Sequence, residues 1–115
     1  EGRVENSVIG PNVTVRVGTT IKNSIIFENT YIAENTHIDT AIIDKDVIIG
    51  KFALVGHWED YSPNIEKPDL LFKGISVIGK GSLVEDNSII GRNVRIFSNK
   101  RIFNGSNIKS GDTIK

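Results

Sequence analysis

An aliphatic residue returns at almost every sixth position of this chain. The series runs Ile9, Val15, Ile21, Ile26, Ile32, Ile38, Ile43, Ile49 and Val55, then, after a break, Ile78, Val84, Ile90, Ile96, Ile102, Ile108 and Ile114. Two steps of five residues, at 21 to 26 and 38 to 43, make the first nine anchors repeat every 17 residues; the later ones repeat every 18. A second rule keeps phase with the first. Three residues before most anchors stands Asn, Gly or Asp, as at Asn12, Gly18, Asn29, Asp46, Asn93 and Gly111; Thr40, Phe52 and Ile75 are the exceptions. Those residue types tolerate left-handed backbone angles that other side chains resist. Two residues before the anchor the side chain is usually small, as at Ser7, Ser24, Ala41, Ala53 and Ser76. Each unit therefore predicts a short strand preceded by a sharp corner, with the small residue on the tight inner side.

Three such units close a triangular turn, and stacked turns pair strand on strand. This is the pattern of hexapeptide solenoids. Branched Ile and Val suit it because they pack well on a pleated surface. An antiparallel β domain also alternates, but does not hold a 17- or 18-residue register with matched corners. The repeat resembles that of the left-handed parallel β-helix, a departure from the right-handed crossover rule. The handedness is what that resemblance implies; the spacing does not supply it. The expected fold is therefore all-β, a single-stranded left-handed parallel β-helix over residues 1–115 with three faces per coil and one inserted loop. About five to six turns fit the length.

The units Asn6-Ser-Val-Ile9, Asn23-Ser-Ile-Ile26 and Asn87-Ser-Ile-Ile90 are expected on equivalent faces. Residues 56–75 carry no six-residue period; they hold the only Trp and two of the three prolines. Loops of this length are commonly functional or disordered, and Trp58, Tyr61, Leu71 and Phe72 argue against disorder. The segment is expected to leave one corner, pack on the outside of the helix and re-enter at Ile75. Phe27, Phe97 and Phe103 each follow an anchor and so face outward, as candidate contacts with another subunit. Lys100 and Asp112 stand where small residues belong, which predicts a looser last turn with Lys100 bent toward solvent.

Composition narrows the function. Fourteen basic residues balance fourteen acidic ones, and without a basic stripe nucleic acid is not an expected partner. There is no Cys, hence no disulfide framework and no cysteine metal site. No run is long or apolar enough to span a membrane and no signal peptide is visible, so a cytoplasmic, non-membrane setting is expected. The chain starts at Glu1 already inside a repeat, which reads as part of a longer protein with its preceding domain removed. Two histidines, His37 and His57, are available for acid–base work. They are too few for a three-histidine zinc site of the γ-carbonic anhydrase type. Asp44-Lys45-Asp46 reads as a local surface charge cluster. No phosphate-binding Gly-rich loop and no pair of carboxylates in an evident cleft is present, so this segment alone is expected to have no turnover and no catalytic residue.

Ala41-Ile-Ile-Asp-Lys-Asp-Val-Ile-Ile-Gly50, then the aromatic and acidic loop, then Phe72-Lys-Gly-Ile-Ser-Val-Ile-Gly-Lys-Gly-Ser-Leu-Val84 follow in that order. The arrangement resembles the C-terminal domain of the glucose-1-phosphate adenylyltransferases (ADP-glucose pyrophosphorylases) or of a close sugar-phosphate nucleotidyltransferase. The resemblance implies a separate N-terminal catalytic domain holding Mg2+, which makes ADP-glucose and pyrophosphate from ATP and glucose 1-phosphate for glycogen or starch synthesis. It implies a homo- or hetero-oligomer, tetrameric in the family, with this domain contributing to assembly and to control by a phosphorylated metabolite. It places Lys45 and Lys80 in the effector site, and no metal or cofactor in this domain. The loop here lacks the Arg-rich stretch common in bacterial members, which leaves the effector open. The alternative reading is a hexapeptide acyltransferase trimer using acyl-CoA, with His37 or His57 as general base; a non-catalytic regulatory paralogue of the adenylyltransferases also stays open.

Overall fold

The computed structural model describes residues 2–115. Seventeen short strands, numbered in chain order, form three parallel sheets. The first face stacks β1 (Arg3–Glu5), β4 (Thr20–Lys22), β7 (His37–Asp39), β10 (Leu54–Val55), β13 (Ile89–Ile90) and β16 (Asn107–Ile108). The second stacks β2 (Val8–Ile9), β5 (Ile25–Ile26), β8 (Ala41–Ile43), β11 (Ser76–Ile78), β14 (Arg95–Ile96) and β17 (Thr113–Ile114). The third stacks β3 (Thr14–Val15), β6 (Tyr31–Ile32), β9 (Ile48–Ile49), β12 (Leu83–Val84) and β15 (Arg101–Ile102). The result is the parallel β-helix that the repeat predicts, consistent with the left-handed form that the resemblance implies.

The anchors make the core. Ile21, Ile38, Val55 and Ile90 lie in register down the first face, and Ile26, Ile43, Ile78 and Ile96 down the second. All of these are buried, whereas Ile9, Val15, Ile108 and Ile114 in the end coils are only partly so. Each full burial is worth roughly 1.5–3 kcal/mol, so stability is concentrated in the middle coils.

Spacing outranks residue type at the corners. The corner asparagines have φ between 47° and 62°, as the pattern requires, but Thr40 (55°) and Phe52 (57°) adopt the same conformation. The exception at Ile75 is met one residue earlier, by Gly74 at 93°. The small inner residues do more than fit. Ser76 Oγ donates to the Gly91 carbonyl at 2.7 Å and accepts the Val94 N–H at 3.2 Å. Ser24 and Ser82 likewise accept a backbone N–H from the next coil, and Ser110 accepts that of Arg92 from the preceding one. Buried hydroxyls thus satisfy backbone groups that the corners take out of the sheet ladders.

One expectation is corrected. Asn87-Ser-Ile-Ile90 ends on the first face, whereas Asn6-Ser-Val-Ile9 and Asn23-Ser-Ile-Ile26 end on the second. The inserted segment counts as no face at all: Val55 closes one coil, Ile78 is the next anchor, and Ile90 therefore stacks on Val55. The tetrapeptide marks a kind of corner, not a particular face.

Residues 56–75 form a strap across the corner between the first and second faces. At its start the N–H groups of Gly56 and His57 both donate to the Ile90 carbonyl at 2.9 Å. In its middle Asn64 is fully buried; its Nδ2 donates to the carbonyls of Asn93 (3.0 Å) and Asp112 (3.3 Å), and its Oδ1 accepts the N–H groups of Glu66 and Lys67. Asn93 completes the seam, donating to Tyr61 and Ser62 and accepting from Gly74. The strap therefore docks outside and re-enters at Ile75 as expected.

Candidate functional site

Lys45 and Lys80 both lie two residues beyond a second-face anchor, Ile43 and Ile78, and those anchors are register partners. This puts the lysines on one corner, on adjacent coils. The backbone confirms it: Gly81, directly after Lys80, donates its N–H to the Lys45 carbonyl at 3.1 Å, and Asn99 in the next coil donates to the Lys80 carbonyl at 2.8 Å. Adjacent strands are about 4.8 Å apart, so the two lysines rise from neighbouring backbone positions on one edge of the prism. Glu28 occupies the same corner one coil earlier, its carboxylate 4.0 Å from Lys45 Nζ. Asp44 faces back and accepts the Lys45 N–H at 2.7 Å, which orders the corner backbone. Lys80 has no ion pair among the described residues and is exposed. Like charges on neighbouring strands disfavour one another, and an anion between them would offset this. Lys is suited to such a role as a compact point charge.

The two histidines come together elsewhere. His37 projects from β7 on the first face, beside Leu54 of the next coil. His57 opens the strap with its ring 5.3 Å from that of Trp58, tilted by 51°. Both line a cleft of about 520 Å³ between the first face and the strap's first arm. Its back wall is Arg92, a residue the repeat gave no reason to single out. Arg92 is buried; its Nε donates to the Trp58 carbonyl at 2.7 Å, its guanidinium stacks 4.8 Å from the Tyr61 ring, and one terminal nitrogen lies 3.5 Å from Asp39. One side chain thus ties strap to coil.

Phe27 and Phe103 face outward and are exposed, as expected; Phe97 is half-covered, with the Arg95 guanidinium 4.4 Å over its ring. Lys100 is half-buried, its N–H held by Ser82 Oγ. Among the described residues no helix is long and apolar enough to cross a membrane.

Comparison with known proteins places these features. A family model described as the GlmU-like C-terminal hexapeptide matches residues 1–78. The glucose-1-phosphate adenylyltransferase of Acetivibrio thermocellus is 38% identical over 90 residues, which are 78% of this chain and 21% of that protein. The enzyme of the same name from Thermomicrobium roseum is 42% identical over 53 residues, 46% of this chain and 12% of that one. The chain thus spans a minor part of the length of both. Among solved structures, the acetyltransferase domain of PglB from Neisseria gonorrhoeae superposes with a TM-score of 0.47 at 18% identity, covering 97% of this chain and 50% of that one. That distant likeness says nothing of chemistry. On the family match, the chain belongs to the GlmU-like C-terminal hexapeptide family.

Proposed function

We propose that this β-helix is the C-terminal part of a glucose-1-phosphate adenylyltransferase, serving assembly and metabolite control. In this reading ATP and glucose 1-phosphate react in a separate N-terminal domain, which also holds Mg2+, and no residue of the present chain enters the chemical step. The observation that carries it is the 38% identity over 90 residues. A stretch covering that share of 115 residues includes 26–90 wherever it begins, and so contains both Lys45 and Lys80. Their stacking on one corner supports a site for a phosphoryl group of a regulatory metabolite, with Glu28 limiting how much charge is welcome. The outward Phe27 and Phe103 are surfaces for subunit contact in an oligomer, a tetramer if this protein follows the resemblance. Such an enzyme would work in the cytoplasm.

The test uses the full-length enzyme. Pyrophosphate release is measured from ATP and glucose 1-phosphate, with GTP, UTP and mannose 1-phosphate as controls, with and without sugar bisphosphates. ATP-selective turnover is expected. The half-saturating effector concentration should rise about tenfold or more in Lys45→Ala and Lys80→Ala, the loss of one charge-assisted contact. No turnover from ATP and glucose 1-phosphate would overturn the activity. An unchanged effector response in the double variant would overturn the site.

A further inference from the structure

The cleft beside the strap is distinct from the lysine corner, and its lining points to a ligand of its own. We propose that it binds a neutral saccharide, held against the Trp58 indole.

The first observation is Trp58 itself. It is 39% exposed and has φ of 67°. A bulky residue in the left-handed region is a genuine outlier, and such strain persists where surrounding structure over-determines it. Here the Arg92 Nε bond to its carbonyl and the tilted His57 ring do so. The chain thus holds a large aromatic surface open toward the cleft. Indole has an apolar face and a polar edge, and the C–H face of a pyranose ring is its natural complement.

The second observation is the charge of the lining. Lys22 and Arg92 are offset by Asp39 and Glu59. Arg92 is already committed to Trp58, Tyr61 and Asp39. An anion entering the cleft would meet one uncommitted cation, Lys22, opposed by Glu59. Hydroxyl groups have no such conflict. Carboxylates accept from them, an ammonium group donates to them, and the two imidazoles do either. Leu54, the outward residue of β10, supplies an apolar floor. The volume of about 520 Å³ lies in the range of small-molecule sites, about 300–1,000 Å³, and suits a mono- or disaccharide.

Trp58 is the only tryptophan of the chain, so its fluorescence reports the first arm of the strap. Trp58 also borders a second cleft with Tyr61, Lys109 and Ser110, and His37, which lines only the first, assigns a response to one or the other. The 115-residue protein is titrated with glucose, maltose and cellobiose. Glycerol at matched concentration is the solvent control, and inorganic phosphate and glucose 1-phosphate are the anionic arms. A saturable change with at least one neutral sugar is expected. Its apparent Kd should rise about tenfold in Glu59→Gln and in His37→Ala. Both side chains are exposed, so unchanged melting should accompany the loss, and Lys45→Ala should leave the titration as it is. A response confined to glucose 1-phosphate or phosphate overturns the neutral-ligand assignment. A linear drift that glycerol reproduces overturns the site. So does a saturable response that neither variant weakens. None of these outcomes bears on Lys45 and Lys80, which lie at another corner.

Discussion

Replacing Asn64 by Ala should release the middle of the strap while leaving the coils folded. Asn64 is fully buried, and its amide makes at least four hydrogen bonds: two donated to the carbonyls of Asn93 and Asp112, two accepted from Glu66 and Lys67. Each is worth about 0.5–1.5 kcal/mol net, giving about 4 kcal/mol for the set. Glu66 and Lys67 are exposed, so water replaces their lost partner and trims the cost to about 3 kcal/mol. That is roughly a hundredfold shift toward the open strap. Hydrogen exchange reads it directly, because the Ile65 N–H is bonded to the Gly111 carbonyl and the Asn64 N–H to the Leu71 carbonyl, each at 2.9 Å. Both amides should lose protection by about two orders of magnitude, while Ile43 and Ile49 in the middle coils keep theirs. Asn64→Asp retains the acceptor and should fall between. If Ile65 exchanges within a few-fold of the parent rate, the strap is held by other contacts and the reasoning fails.

Phe52→Asn should raise stability by about 1 kcal/mol, since Asn accepts the left-handed conformation that Phe resists and the Phe52 side chain is mostly exposed; a fall in Tm would mean the ring has a packing role. Ser76→Ala removes a buried hydroxyl that serves Gly91 and Val94, and denaturant titration should show a loss of about 1–3 kcal/mol. Asp60 is held below the ordinary carboxylate value by the Ser62 hydroxyl first and the Ser62 N–H second. Its contribution is thus present above the unfolded value and lost as pH falls through the lowered folded one. Trp58 emission should shift on acidification below about pH 4 in the parent and less in Asp60→Asn; identical curves would exclude Asp60 as the cause.

What was legible in the chain, and what was not, divides along periodicity. The anchors and corners could be read because each coil repeats the same local demand, and Thr40 and Phe52 could be placed by counting even though their side chains argue against it. The meeting of Lys45 and Lys80 was also within reach of counting, once Ile78 is taken as the anchor after Val55. Asn87–Ile90 was misplaced by matching residue types instead. Arg92 and Asn64 were out of reach. Their partners, Trp58 and Asp39 for one and Asn93 and Asp112 for the other, lie 29 to 53 residues away with no repeat to relate them. The cleft depends on the same contacts, so His37 and His57 line one cavity only because the strap is laid down beside the first face.

The way the strap is tied also sets an order of events during synthesis. Each coil can settle on the one before it as soon as the next 17 or 18 residues are made. The strap cannot. It leaves the growing body after Val55, but the carbonyls and hydroxyl that receive Asn64 include Asp112 and Thr113, 48 and 49 residues further along. Its first arm can dock once Ile90, Arg92 and Asn93 are in place, through Gly56, His57, Trp58 and Tyr61; its middle waits longer. Closure of the middle of the strap therefore follows the coil that carries Asp112, and removing Asp112 to Lys115 should open the Asn64 seam while leaving the cleft, whose lining extends no further than Arg92, in place.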